Sequence, residues 1–197
     1  MNTGRTQRTV LAGTFTAFLL AAGLGNQWVY NKLLDHIRVG DNSGWQLLAR
    51  ISFPHWVVDK SGKFEGLPSK TMTGMLVGAV LLIVAVAIVI AIAARRDGFS
   101  AVITGWFATV VGGAVYGIAL VTIAGSNFVS GRRSLDTFLT FTSEGAGFGL
   151  LVGWVVGIAC ALAAGPGGGY AATSSYAPPT SAPPYPQNPP SGGGYRY

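Results

Sequence analysis

The stretch GAGFGLLVGWVVGIACALAAG, residues 145–165, decides how the rest of the chain is read. It contains no charged residue and is long enough to cross a hydrocarbon core of about 30 Å as an α-helix. Small residues recur at every fourth position, at Gly145, Gly149, Gly153 and Gly157 and on to Ala161 and Gly165. Fourfold spacing places them on one face of a helix, where they let a neighbouring helix backbone come close. The pattern predicts a transmembrane helix with a packing face.

Three further uncharged segments predict three further spans, at residues 9–30, 71–94 and 99–125. Each carries small residues at the same spacing: Gly13, Ala17, Ala21 and Gly25 in the first, Gly74 and Gly78 in the second, and Ala101, Gly105, Gly113 and Gly117 in the third. In the second segment we expect the Gly74 end to pack closely and the Ile- and Val-rich remainder to face lipid. The fold class is therefore an all-α integral membrane protein, a four-transmembrane-helix bundle. Its expected packing residues are Gly13, Gly113, Gly117, Gly145, Gly149, Gly153 and Gly157.

The connections divide the chain further. Residues 1–8 are a short basic N-terminus, 31–70 a long loop with amphipathic segments, 95–98 a tight turn, and 126–144 a second loop with a short interfacial helix. Residues 166–197 are rich in Gly, Pro, Ser and Tyr, which predicts a disordered tail. The first span could also be a secretory signal peptide, but no clean cleavage site precedes Asn26.

Charge gives an orientation and excludes one class of partner. The net charge is +6, yet the basic residues are scattered and form no patch with interleaved aromatics, which argues against nucleic-acid binding. Arg5, Arg8, Arg95 and Arg96 lie at helix ends in very short segments, where positive residues favour the cytoplasmic side. We therefore expect both termini in the cytoplasm, although the other loops carry more basic residues in total.

No pattern for catalysis or metal binding stands out, so the sequence predicts neither an enzyme nor a cofactor. The single cysteine, Cys160, excludes an intramolecular disulfide, and the two histidines have no neighbouring ligand at a recognisable spacing. The four spans contain no Asp, Glu, Lys, Arg or His, the residues that mark proton relays and ion pathways. Within a span, the Tyr116 phenol needs a partner, which is either another helix or a quinone-like or lipid ligand.

Two segments are candidates for contact with partners. Four loop aromatics, Trp45, Phe53, Trp56 and Phe64, are typical either of the headgroup zone or of interface anchors. In the tail, Pro183, Pro184, Tyr185 and Pro186 match a PxxP pattern and are a candidate docking site for a cytoplasmic partner.

The order of helices and loops resembles that of many tetraspan proteins, without the loop cysteine pair of claudins. The tail is similar in composition to tails on small actinobacterial membrane proteins. We expect a bacterial plasma-membrane protein that acts as a non-catalytic accessory or scaffold subunit, because all four helices carry small-residue stripes that could also receive other membrane subunits or a second copy. The alternatives are a small transporter or channel for an uncharged or lipidic solute, and a sensor or regulator that acts through its tail.

Overall fold

The computed structural model describes residues 3–37, 44, 53–60, 64–93, 99–125 and 134–165, and the account that follows is limited to them. Within these ranges the regular structure is helical, apart from a single parallel bridge between Asn26 and Trp56. There are five helices: α1 Thr3–Leu24, α2 Gln27–Ile37, α3 Ser69–Ala93, α4 Phe99–Ala124 and α5 Ser134–Ala164. Three of them, Ser69–Ala93, Phe99–Ala124 and Leu135–Ala164, are long and apolar enough to cross a membrane. The protein is therefore membrane-embedded.

Four of the helices form a closed ring in the order α1, α3, α4, α5, with each helix in contact with the next and α5 in contact with α1. Neighbours run antiparallel. Gly78 of α3 lies against Tyr116 of α4, while Gly74, one turn earlier, lies against Leu120. The core between them holds fully buried side chains, among them Leu82, Val86 and Tyr116.

The contact between α4 and α5 is the closest in the bundle. A Cβ added at Gly113 would overlap the carbonyl oxygen of Gly145, and a Cβ added at Gly145 would overlap that of Gly113. Further along the pair, Gly149 lies on the backbone of Val110 and Gly157 on that of Val102. Glycine is required at these positions because any side chain would separate two backbones that now touch.

The glycines of α4 serve two neighbours. Gly112 faces Leu82 and Val86 of α3, whereas Gly113 beside it faces α5. Helix α4 ends at Ala124, followed by Gly125 with φ of 50°. A residue in this left-handed conformation is a common helix terminator, and glycine adopts it without steric cost.

The segment 9–30, predicted to be one span, belongs to two helices, because α1 ends at Leu24 and α2 starts at Gln27. The Asn26 side chain accepts a hydrogen bond from the Trp28 N–H at 2.9 Å and so caps α2, while the Gly25 carbonyl accepts one from the Trp56 N–H at 3.0 Å. These bonds take backbone groups that a continuous helix would have used.

Residues 134–144 were predicted to belong to a loop with its own short helix, and this is wrong. They form the first part of α5, which continues without a break to Ala164. Its 31 residues span about 46 Å, which exceeds the thickness of a hydrocarbon core of about 30 Å. Asp136 in the first turn favours a helix start because its charge complements the helix dipole.

The expectation for α3 is also corrected. Its buried residues are Thr71, Gly74, Gly78, Leu82, Val86 and Ile90, so the packing stripe continues through the Ile- and Val-rich half. Side chains between these positions, such as Val80, Val84 and Ile92, are exposed. An aliphatic helix therefore packs with one face and presents another to lipid, and hydropathy alone does not separate the two.

Candidate functional site

One end of the bundle is closed by α2 and residues 53–60, which together we call the cap. Beneath the cap lie the last turn of α1, the first turns of α3, the last turns of α4 and the part of α5 near Glu144. Helix α2 and residues 53–60 are separated in sequence, so their contacts with each other and with the bundle decide what the cap can do.

The deepest anchor of the cap is a hydrogen bond from α4. The Tyr116 hydroxyl donates to the carbonyl oxygen of His55 at 2.6 Å, and Tyr116 is fully buried. The ring of Phe53 packs edge-on against the Tyr116 ring, with centroids 4.9 Å apart and an angle of 82°. The sequence indicated that this phenol needs a partner but offered another helix or a ligand, and the partner is instead a loop carbonyl.

A second anchor is the side chain of Gln27, at the start of α2. Its amide nitrogen donates to the Asp59 carbonyl at 2.8 Å, and its oxygen accepts from the Val58 and Asp59 N–H groups at 3.3 and 3.2 Å. The Trp56 indole N–H donates to the Ala21 carbonyl at 3.0 Å. The Gln27 side chain thus makes the backbone hydrogen bonds to Val58 and Asp59 that a neighbouring strand would otherwise make, and it fixes these two residues to α2.

Between the cap and α5 lies a cavity of about 490 Å³, which we call the cap cavity. Its lining residues are Tyr30, Phe53, His55, Ser143, Glu144, Gly147, Leu150 and Leu151. On α5 the lining begins with polar Ser143 and Glu144 and continues, about two turns later, with apolar Leu150 and Leu151. Ser143, Glu144, Leu150 and Leu151 are all exposed, so the cavity is open along α5.

Aromatic rings form the inner wall of the cap cavity. The Tyr30 and His55 rings are 3.7 Å apart between centroids, and Phe53 meets His55 edge-on at 5.6 Å. Burial raises the pKa of the Tyr30 phenol, and the nearby Glu144 carboxylate raises it further. Tyr30 therefore stays neutral across the ordinary pH range, and within the described part of the chain Glu144 is the one formally charged residue of the lining.

A second cavity, of about 320 Å³, lies between α1 and α3 under Trp56. Its walls are almost wholly apolar and include Phe18, Leu76, Val80 and Ile83. Several of these side chains are exposed on the lipid-facing side of the bundle. A groove of this composition is suited to an acyl chain and offers no polar group that would select one ligand over another.

The aromatic residues proposed as partner anchors are mostly used inside the protein. Phe53 and Phe64 are each 7% exposed, and Trp56 is half-buried with its indole N–H bonded to α1. They do not form an exposed surface because the loop that carries them folds back into the cap. Trp45 lies outside the described residues, as do Pro183, Pro184, Tyr185 and Pro186.

The structure places the proposed packing glycines inside the bundle. Gly13 lies between Ile90 of α3 and Cys160 of α5, and Gly117 lies against the backbone of Phe141. Gly153 contacts Trp106 and Thr109. Gly113, Gly145, Gly149 and Gly157 line the α4–α5 contact.

Four residues that build the cap or line the cap cavity were not singled out from the sequence for these roles: Asn26, Gln27, His55 and Glu144. The Gly25–Asn26 pair was a signal, because Gly and Asn are typical of a helix end followed by a new cap. Nothing in the local sequence indicated that Gln27 would bind residues about thirty positions away. Within the described residues no group of three or more His, Cys, Asp or Glu could hold a metal ion. The chain matches no protein-family model, no curated protein and no solved structure.

Proposed function

We propose that the chain is a four-span, non-catalytic membrane protein that serves as an accessory or scaffold subunit of a larger membrane complex, and that its cap is the surface that meets the partner. The fourth span is α1. It packs antiparallel on α3 and α5, with Gly13 level with Ile90 and Cys160. The uncharged part of α1, residues 9–24, reaches about 24 Å, which is shorter than an apolar layer of about 30 Å. A short span is accommodated by local thinning of the bilayer and by flanking basic side chains, here Arg5 and Arg8, that reach the interface.

The orientation follows from the arginines. Arg5 and Arg8 precede the apolar part of α1, and Arg95 and Arg96 join α3 to α4. Placing these short segments in the cytoplasm puts the cap on the outer face of a bacterial plasma membrane. Both termini are then cytoplasmic.

The helix faces do not support the docking of a partner in the way the sequence suggested. The small-residue stripes of α3, α4 and α5 are covered by the chain's own helices. Helix faces that remain open are aliphatic, as at Val80, Val84 and Ile92, and suit lipid. The small residues therefore mediate contacts between helices of this chain and are not available to a partner.

The observation that carries the proposal is an exposed apolar pair on the cap. Trp28 is 78% exposed and Val58 is 66% exposed. Gln27 precedes Trp28 in the chain, and its side chain accepts a hydrogen bond from the Val58 N–H. This bond holds together the two backbone segments that carry the Trp28 and Val58 side chains. A rigid, exposed tryptophan with an aliphatic neighbour is typical of the anchors that dominate interface energies.

Affinity purification of the full chain in mild detergent tests this proposal. We expect a co-purifying subunit that is lost with the double variant Trp28→Ala, Val58→Ser. Phe99→Ala is the matched control, because Phe99 is also 78% exposed but lies at the opposite end of the bundle. Retention of the subunit by the cap variant, or an equal loss with Phe99→Ala, would refute the proposal.

No observation favours the transporter alternative. It relied on Thr109 and Tyr116 as polar groups for a solute, but the Thr109 hydroxyl donates to the Gly105 carbonyl at 2.8 Å and the Tyr116 hydroxyl to His55. The regulator alternative rests on residues 166–197, which lie outside the described part of the chain. Its test remains deletion of that tail with membrane insertion as the control.

A further inference from the structure

The cap cavity carries an inference that is independent of the proposed scaffold function. Its lining combines one carboxylate, two hydroxyls and three aromatic rings with the apolar side chains of Leu150 and Leu151. We propose that this cavity binds an amine-bearing membrane lipid, with the ammonium of the headgroup against Glu144 and an acyl chain along Leu150 and Leu151.

The position of the cavity along α5 supports a lipid. Twenty residues separate Glu144 from the end of α5 at Ala164, which is about 30 Å of helix and matches the thickness of the hydrocarbon core. Glu144 then lies at the headgroup level. Leu150 and Leu151 are about 10 Å deeper along the helix, among acyl chains.

The charge of the cavity selects the kind of headgroup. Among the lining residues that the structure describes, Glu144 is the one with a formal charge, and Tyr30 remains a neutral hydrogen-bond donor and acceptor. A carboxylate at a half-apolar boundary attracts a cation and repels a purely anionic headgroup, and aromatic rings next to it add favourable contact with an ammonium.

The shape of the cavity provides a site for the acyl chain of the lipid. Gly147 faces open space, since a Cβ added there would meet no atom within 4 Å. Its neighbours Gly145 and Gly149 face α4 and have no such room. The groove along α5 is therefore wide at Gly147, with exposed Leu150 and Leu151 one turn further along. This is the arrangement that an acyl chain entering from the bilayer requires.

Native mass spectrometry of the full-length protein tests the headgroup, with short-chain phosphatidylethanolamine and phosphatidylglycerol titrated separately. We expect the ethanolamine lipid to bind at least about tenfold more tightly, because it alone brings an ammonium to the carboxylate. Glu144→Gln keeps the size of the side chain and should remove that preference. Asp136→Asn removes an exposed carboxylate eight positions earlier on the same helix and should leave it unchanged. Equal binding of both lipids, or equal effects of the two variants, would overturn the assignment.

A cavity-filling variant tests the location. Gly147→Leu places a side chain into the open groove and should reduce lipid binding about tenfold without lowering thermal stability. Gly23→Leu is the matched control, because Gly23 is exposed on α1 with open space around it and lies outside the cavity. Unchanged binding by Gly147→Leu would place the lipid elsewhere.

Glycerophosphoethanolamine, the headgroup without acyl chains, distinguishes a lipid from a soluble amine. We expect it not to compete with the lipid, because the apolar wall contributes to binding. Effective competition would show that the site takes a soluble ammonium, and the lipid assignment would fall.

Discussion

The Tyr116 hydroxyl donates its hydrogen bond to the carbonyl oxygen of His55, 61 residues away in sequence, at 2.6 Å. One group belongs to a helix inside an apolar bundle and the other to a loop. The Tyr116 side chain is fully buried, His55 is half-buried, and the Phe53 ring packs edge-on against the Tyr116 ring. The bond therefore connects the bundle interior to the cap.

Tyr116→Phe should destabilise the protein by about 0.5–1.5 kcal/mol, because it leaves the ring in place but removes the hydrogen bond to the carbonyl of half-buried His55. We expect a lower melting temperature in mild detergent and faster hydrogen exchange at residues 53–60. Thr122→Val is the control, since the Thr122 hydroxyl bonds within its own helix to Ile118 in an exposed position. Unchanged exchange in residues 53–60 would show that Tyr116 does not hold the cap.

Gly113→Ala should destabilise the bundle by at least about 1–3 kcal/mol, because the new methyl would overlap the Gly145 carbonyl and force α4 and α5 apart. Gly147→Ala serves as the control. Its methyl meets open space, and alanine favours helix over glycine, so we expect equal or higher stability. Gly153→Leu should also disrupt the pair, because the side chain would enter the space of Trp106 and Thr109. Normal melting of Gly113→Ala would contradict the close α4–α5 contact.

Gln27→Met should loosen the cap while α1 and α2 remain helical, because methionine has a similar length but replaces none of the three hydrogen bonds. Limited proteolysis should cut residues 57–60 faster in this variant. Lys60→Met removes an exposed hydrogen bond to Ser69 from the same segment and should have little effect. Equal cleavage rates for both variants would rule out a special role for Gln27.

Cysteine labelling in a Cys160→Ala background should reveal whether α1 crosses the membrane. Cys160 is fully buried, so its removal gives a clean background. A membrane-impermeant maleimide should label Asp59→Cys in intact cells and Gly4→Cys only after permeabilisation, because the two exposed positions would lie on opposite sides. Labelling of both positions from outside would refute the fourth span.

Alkaline pH should test the surroundings of Tyr30. Its pKa is raised above 10.0, first by burial and then by Glu144, so the folded protein holds the phenol proton more tightly than the unfolded chain. This contribution to stability is complete at a pH below the pKa of the phenol in the unfolded chain, and it is lost as the pH rises above that pKa. Between pH about 9 and 11, we expect the melting temperature of Tyr30→Phe to fall less than that of the wild type. An identical decline in both proteins would show that Tyr30 is not held neutral by the fold.

The sequence by itself determined which segments are apolar and where glycine repeats, because both depend only on residue type and spacing. This is sufficient to predict a helical membrane protein with spans at residues 71–94 and 99–125, close to the observed Ser69–Ala93 and Phe99–Ala124. It was not sufficient to find that α1 stops at Leu24, or that residues 134–144 join the following helix.

Only the tertiary structure decided which partner each surface meets. The glycine stripes that were interpreted as surplus face other helices of the same chain, because the four helices close into a ring. Phe53 and Phe64, two of the four candidate anchors, are buried. Gln27, His55 and Glu144 gain their roles from residues far along the chain. Local sequence cannot encode such contacts, since hydrogen bonds and cavities between distant segments depend on how the whole chain packs.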